Sequence, residues 1–143
     1  MQKVLVIGKH PIAGDIERQL MLKGTLYQRY EAYPELNGDL CHCEEMFVLT
    51  SPDAHNAMDE DQRAMDWLHA LARHNNAKKQ RPVVHLLLQS PVSLWALQTM
   101  DLPADLNGQL ELYPFTLEDV WAKNVLVQLP GIKDVNYPTL DRT

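Results

Sequence analysis

The chain has 143 residues, of which 45% are hydrophobic and 22% charged, and it carries a formal net charge of -6. This length suits a single domain with its own hydrophobic core, and the composition is that of an ordinary globular protein. The acidic balance and the scattered basic residues argue against a nucleic-acid-binding surface.

Three further features of the sequence concern the cellular compartment in which the protein is found. No apolar run approaches the roughly 20 residues needed to span a bilayer, so direct membrane insertion is not expected. No charged and then apolar leader precedes the first predicted strand, which predicts a cytoplasmic location. Cys41 and Cys43 are too close in sequence for an ordinary structural disulfide, which favours a reducing compartment.

The first predicted unit is a strand, a tight turn and an amphipathic helix. Residues 3–8 (KVLVIG) form a near-continuous apolar run, typical of a central parallel strand that is buried on both faces. Ile12, Ile16 and Leu20 then recur at helical spacing. Pro11 stands between them, where a residue without a backbone N–H fits the first turn of a helix.

The same juncture recurs along the chain, because each of the five predicted strands runs into a proline: Pro11, Pro34, Pro52, Pro91 and Pro114. We therefore expect a strand end followed by a helix start at each proline. This order predicts an α/β domain with a Rossmann-like, doubly wound, mainly parallel five-stranded sheet and helices on both faces. Only about a dozen residues separate the second and third strands, so the helix of that crossover is expected to be shortened or absent.

The turn after the first strand bears on ligand binding, because open parallel sheets bind ligands at the carboxyl ends of their strands. It reads GKHPIAG over residues 8–14. A dinucleotide fingerprint requires G-x-G-x-x-G/A, which Gly8 and Ala13 fit, whereas His10 occupies the position of the second glycine. A side chain there is expected to crowd a pyrophosphate, although an imidazole could instead contact a phosphate.

Glu31 is the second candidate ligand-binding residue. It closes the second predicted strand, 23 residues after Gly8, where an acidic side chain accepts hydrogen bonds from the hydroxyls of an adenine ribose. The alternative is that Gly8 serves only the turn and that Glu31 is a solvated carboxylate.

These residues resemble the cytoplasmic Rossmann domains that regulate potassium channels and transporters, called TrkA N-terminal or RCK domains. The resemblance covers about residues 2–126, so we expect a domain over residues 1–126 and a C-terminal tail or linker over residues 127–143. It rests on Glu31 and on four segments: VLVIGKHPIAGDIERQL, MFVLTSPDAHNAM, VVHLLLQSP and LELYP.

The resemblance implies a function and a set of site residues. In that family a nucleotide, commonly NAD(H) or an adenine nucleotide, lies over the glycine turn, and its binding changes the packing of paired domains that gate a membrane pore. The implied partners are a second copy of the chain and a channel or transporter domain at the inner face of the membrane. Carried over by position, the family places Gly8, His10 and Ile12 at the phosphates, Glu31 at the ribose, and Thr50 and Ser51 beside the nucleotide.

Two other readings of the chain stay open. One is a dimerisation module that has kept the fold and lost the nucleotide. It also fits His10 in place of a glycine and the short connection between the second and third strands. A small NAD(P)-dependent oxidoreductase is the other alternative, but no pair of catalytic residues is legible in the sequence.

The remaining candidates for chemistry have structural interpretations. Cys41-His42-Cys43 contains zinc-ligand residue types but lacks a second ligand pair at recognisable spacing, so we interpret it as part of a crossover. His85 interrupts an apolar strand and is predicted to be a core histidine with a hydrogen-bonded ring. Ser51 and Ser90 each precede a proline and are predicted to cap helices rather than to act as nucleophiles.

Overall fold

A computed structural model describes residues 4–36, 43–53, 55–74, 81–99 and 109–117. The predicted tail, residues 127–143, lies outside the described residues. The elements in chain order are β1 (Val4–Ile7), α1 (Ile12–Leu22), β2 (Tyr27–Tyr30), β3 (Glu45–Leu49), α2 (Ala57–His74), β4 (Val83–Leu87), α3 (Pro91–Thr99) and β5 (Glu111–Phe115). Within those ranges, none of the helices is both long and apolar enough to cross a membrane.

The five strands form one open sheet in which all neighbouring strands are parallel. Their order is β2-β1-β3-β4-β5, and Val4 of β1 lies opposite Tyr27 of β2 and Glu45 of β3. This is one of the two common orders of doubly wound sheets, in which the direction of winding reverses between β1 and β3. Ligands of such sheets bind outside the carboxyl ends of the strands at that switch point.

Helices cover both faces of the sheet, and each face has its own apolar core. Helix α1 packs on one face, where the buried residues are Val4, Val6, Ile12, Ala13, Ile16, Leu20, Phe47, Leu49, Leu87 and Phe115. Helices α2 and α3 contribute to the opposite core, which includes Leu5, Ile7, Met46, Val48, Ala64, Leu68, Leu71, Val84, Leu86 and Leu94. Successive strand residues alternate between the two cores, as the pleat of a strand requires. The predicted Rossmann-like α/β class is confirmed.

The prolines do not all separate a strand from a helix. Pro11 directly precedes α1 and Pro91 begins α3, as predicted. After Pro52, however, the helix begins only at Ala57. Pro114 lies inside β5, so the expected strand end there is wrong. Strand β5 has a single neighbour within the described sheet, and proline is tolerated on an edge strand because one side of that strand needs no N–H.

The connection from β2 to β3 contains no helix in its described part. Residues 31–36 and 43–44 form neither helix nor strand. The indole N–H of Trp67, in α2, donates to the Pro34 carbonyl oxygen at 3.1 Å, and its ring stacks on Tyr33 with centroids 5.8 Å apart. Helix α2 therefore holds the residues that follow β2.

Candidate functional site

A cavity of about 320 Å³ lies at the carboxyl ends of β1, β2 and β3. This is the switch point of the sheet, and we refer to the space as the switch-point cavity. The predicted residues Gly8, Glu31 and Ser51 all contribute to its walls although they are far apart in the sequence. Its described lining consists of Gly8, Lys9, Glu31, Ala32, Tyr33, Ser51, Asp53, Glu60 and Arg63.

The sheet itself requires a glycine at position 8. The φ angle of Gly8 is +121°, and a Cβ atom there would lie 1.9 Å from the carbonyl oxygen of Leu49. The Gly8 N–H donates to the Tyr30 carbonyl oxygen at 2.9 Å. The end of β1 thus passes against the backbone of β3, where a side chain has no room. Gly8 is explained by this contact between strands without any ligand.

Arg29 of β2 reaches over the end of β1 and holds the turn. Its guanidinium donates to the carbonyl oxygens of Val6 at 3.3 Å, Gly8 at 2.5 Å and Tyr30. Its Nε atom lies 2.9 Å from Oε1 of Glu17 in α1. This role of Arg29 was not predicted from the sequence. The only available signal was a cation in a short polar strand, because nothing local predicts that Glu17 lies opposite.

His10 is directed to the start of α1. Its Nδ1 atom accepts a hydrogen bond from the Ile12 N–H at 3.0 Å. His10 is 8% exposed, and the Ile12 side chain belongs to the core beneath α1. Burial lowers the pKa of the His10 imidazole, and the nearby Asp53 carboxylate raises the pKa by a smaller amount. Neither His10 nor Ile12 belongs to the described lining of the switch-point cavity.

Thr50 joins the ends of β3 and β4 and lies outside the described cavity lining. Its hydroxyl donates to the Leu87 carbonyl oxygen at 2.6 Å. The Gln89 side-chain amide donates in turn to the carbonyl oxygen of Thr50 at 2.9 Å and to its hydroxyl oxygen at 3.0 Å. Thr50 is fully buried by these contacts.

Ser51 does not cap a helix, so that prediction is wrong. Its hydroxyl oxygen accepts from the Asp53 N–H at 3.3 Å, which makes a local turn, and its own N–H donates to Glu60 Oε1 at 3.3 Å. The cap of α2 is Asn56, whose Oδ1 accepts from Met58 N–H at 3.0 Å and from the following amide at 3.2 Å. Asparagine is among the best N-cap residues, and the turn after Pro52 delays the helix until it is reached.

Ser90 does cap α3, as predicted, but a second residue shares the task. The Ser90 hydroxyl oxygen accepts from the Val92 N–H at 3.2 Å. Asp61 of α2 accepts the Gln89 N–H at 2.8 Å on Oδ1 and the Ser90 N–H at 2.9 Å on Oδ2. No sequence pattern predicted a role for this carboxylate, which is only 2% exposed. It is fully engaged in holding the start of α3.

The switch-point cavity carries charges of both signs. Lys9 and Arg63 are its described cations, and the exposed Glu31 is one of its carboxylates. An Arg63 nitrogen lies 4.0 Å from a carboxylate oxygen of Glu60. Within the described part of the chain the buried Tyr33 hydroxyl has no hydrogen-bond partner, and burial raises its pKa, with Glu60 adding to the effect. The walls thus offer carboxylate acceptors together with cationic donors.

His85 is a core residue, as predicted. It is fully buried, and its Nε2 atom lies 2.6 Å from Glu45 Oε2. The imidazole stacks between Phe47, at 4.7 Å between centroids, and Tyr113, at 6.0 Å. The Cys43 thiol is also buried and donates to the Glu45 carbonyl oxygen at 2.8 Å.

A metal site, which was not the favoured interpretation of Cys41-His42-Cys43, would depend on residues next to Cys43. Cys41 and His42 lie outside the described residues. Among the residues that are described, no group of three or more histidine, cysteine, aspartate or glutamate side chains is arranged to hold a metal ion.

No protein-family model, curated protein or solved structure matches the chain. Its function therefore has to be inferred from its own residues and from the geometry of the switch-point cavity.

Proposed function

We propose that this chain is a non-enzymatic regulatory domain that binds an adenine nucleotide in the switch-point cavity, in the manner of TrkA N-terminal and RCK domains. The proposal is carried by one observation: Glu31 shares this cavity with Gly8 and Ser51. In doubly wound sheets an acidic side chain after the second strand accepts hydrogen bonds from the ribose hydroxyls of a bound nucleotide. Glu31 is exposed and occupies that position.

The polar lining supports binding of a ligand with hydroxyl groups and limited negative charge. Lys9 and Arg63 are positioned to attract a phosphate, and Glu31 is positioned to accept from a sugar. The described lining contains no histidine and no cysteine, and the Ser51 hydroxyl is engaged with the Asp53 amide. These features favour recognition over nucleophilic catalysis.

The regulatory part of the proposal concerns α2. This helix contributes Glu60 and Arg63 to the cavity, and Trp67 one turn further along stacks on the lining residue Tyr33. A ligand would therefore contact the ends of three strands and one long helix at once. We propose that binding changes the packing of a pair of such domains, and that the regulated partner is a channel or transporter for potassium or another ion.

Isothermal titration calorimetry tests the ligand. The purified chain is titrated with NAD+, NADH, ATP, ADP and AMP, and at least one of them is expected to bind. Glu31→Gln is expected to weaken that binding about tenfold, because it removes a charged acceptor. Glu35→Gln is the matched control, since Glu35 is also exposed but lies outside the described cavity lining. No binding of any nucleotide at millimolar concentration would refute the proposal.

A ligand-free dimerisation module is the second candidate, and the exposed apolar residues favour it. Met21 and Leu22, the last two residues of α1, are 65% and 75% exposed, and Leu26, just before the edge strand β2, is 58% exposed. Clustered exposed apolar side chains are typical of interaction surfaces. Light scattering tests this candidate, because a strict monomer at high concentration would count against both the module and the paired-domain model.

A further inference from the structure

The start of α1 is occupied by the protein's own acceptors. The Ile12 N–H donates to His10 Nδ1 at 3.0 Å. The Ala13 N–H donates to the His10 carbonyl oxygen at 2.9 Å, and the Gly14 N–H donates to that of Pro11 at 3.3 Å. Pro11 itself has no N–H. In dinucleotide sites the first amides of this helix hold the pyrophosphate. Here the first four residues of the helix start, 11–14, have no unpaired backbone N–H group for an anion.

The His10 ring maintains this arrangement in its neutral form. Nδ1 accepts a hydrogen bond only when it carries no proton, and burial, which lowers the pKa of His10, favours that form. The ring is buried at the helix start and does not line the cavity. A phosphate that approached α1 would therefore have to displace the imidazole to reach the Ile12 N–H.

The charges of the switch-point cavity also disfavour a highly charged ligand. Three carboxylates, those of Glu31, Asp53 and Glu60, outnumber the two described cations of the lining. Arg63 is already 4.0 Å from Glu60. Each further negative charge on a ligand is repelled by the remaining carboxylates. An uncharged ribose meets no such repulsion, and its hydroxyls can donate to Glu31.

The size of the cavity, like its charges, favours a small ligand. Its volume of about 320 Å³ is near the lower end of the range of ligand pockets, about 300 to 1,000 Å³. A dinucleotide contains two nucleosides and a diphosphate, and it needs far more room than a single nucleoside.

We infer that the switch-point cavity takes an adenine nucleoside or its monophosphate, and that His10 keeps diphosphates and dinucleotides from the start of α1. The inference rests on the proposed function, from which the adenine group is taken. Glu31 provides the recognition of the sugar, and His10 provides the selectivity against further phosphates.

Calorimetric titration with adenosine, AMP, ADP and NAD+ tests this selectivity in the wild-type chain and two variants. The wild type is expected to bind adenosine or AMP at least as tightly as ADP and NAD+. His10→Gly frees the Ile12 N–H and is expected to raise the affinity for ADP and NAD+ about tenfold relative to adenosine, as one hydrogen bond to a charged group would. His10→Asn keeps a short acceptor at the helix start and is expected to retain the wild-type order.

The outcomes separate the inference from the proposed function. Binding of NAD+ to the wild type about tenfold more tightly than adenosine would overturn the inference while supporting the proposed function. An unchanged affinity ratio in a folded His10→Gly variant would also overturn the inference. If no adenine compound binds the wild type or either variant, both are overturned. If His10→Gly does not fold, the inference is decided by the order of affinities for the four ligands, measured for the wild type and for His10→Asn.

Discussion

The junctures before α1 and before α3 follow the same sequence pattern but are built differently. Each consists of a strand end, a polar residue and a proline. At α1 the capping acceptor is His10, which accepts a hydrogen bond from the amide two residues further along the chain. At α3 the Ser90 hydroxyl has the same local role, and Asp61 of α2 adds acceptors from 28 and 29 residues away.

The difference shows that a helix start can be closed locally or by the tertiary fold. The hydrogen bond that caps α1 joins two residues close in sequence, and it stands beside the switch-point cavity. The cap of α3 ties α2 to the end of β4, and its carboxylate is buried. Of the two caps, that of α1 is therefore expected to matter more for ligand selectivity, and that of α3 more for stability.

Gly8→Ala is expected to have the largest effect on the free energy of unfolding, because the backbone of the first juncture has no room for a side chain at this position. The new Cβ atom would collide with the Leu49 carbonyl oxygen at 1.9 Å and would sit at a φ of +121°. We expect a loss of about 3 kcal/mol or more in the free energy of unfolding, measured by urea denaturation.

Gly14→Ala is the matched control for that substitution. Gly14 lies within α1, and a Cβ atom there meets nothing within 4 Å. It is expected to stabilise the chain by about 0.5 kcal/mol. Equal unfolding free energies for the wild type and Gly8→Ala would contradict the close approach of β1 and β3.

Asp61→Asn is expected to have the next largest effect and tests the tertiary cap of α3. It keeps one oxygen acceptor but places an amide NH2 group opposite one of the two backbone N–H groups. A loss of about 2 kcal/mol in the free energy of unfolding is expected from chemical denaturation. Asp66→Asn is the control, since Asp66 is exposed on the same helix and, among the described residues, accepts from the Gln62 side chain at 2.9 Å. Losses of the same size in both variants would show that the buried cap has no special weight.

His10→Asn is expected to have the smallest effect, which should depend on pH. Burial lowers the pKa of His10 from its ordinary value of 6.5 in the folded chain. As pH falls through 6.5, the unfolded chain takes up the proton first, so the stability of the wild type declines toward the lowered pKa. Asparagine also caps helices but does not titrate. The stability advantage of the wild type over the variant is therefore expected to shrink as pH falls below 6.5.

Urea denaturation of both proteins across this pH range provides the measurement. The exposed His55→Asn variant controls for the loss of a histidine as such. A difference between the wild type and His10→Asn that stays constant with pH would argue against a buried imidazole at the start of α1.

The sequence predicted those features that depend on local patterns. The apolar run of β1 and the helical spacing of Ile12, Ile16 and Leu20 identified a buried strand and the helix that follows it. The convergence of Gly8 and Glu31 at one edge followed from the geometry of parallel strands. Pro114 was misinterpreted because an edge strand tolerates a proline that a central strand does not.

The features that the sequence could not predict depend on contacts between distant elements. Arg29 bonds to carbonyl groups of the first turn, and Asp61 bonds to amides almost thirty residues away. Arg63 joins the site only because α2 passes over the ends of the strands. The direction of the His10 ring was equally open, since the same residue could have turned toward a phosphate or toward its own helix.

The stack of Tyr33 on Trp67 gives the molecule an optical reporter of its own. Tyr33 lines the switch-point cavity, and the indole that it contacts is fixed by a hydrogen bond to the Pro34 carbonyl oxygen. A molecule that enters the cavity therefore changes the surroundings of a ring in direct contact with a fluorophore. The fluorescence of Trp67 is therefore expected to change when a ligand occupies the cavity, so that binding can be followed without an added label.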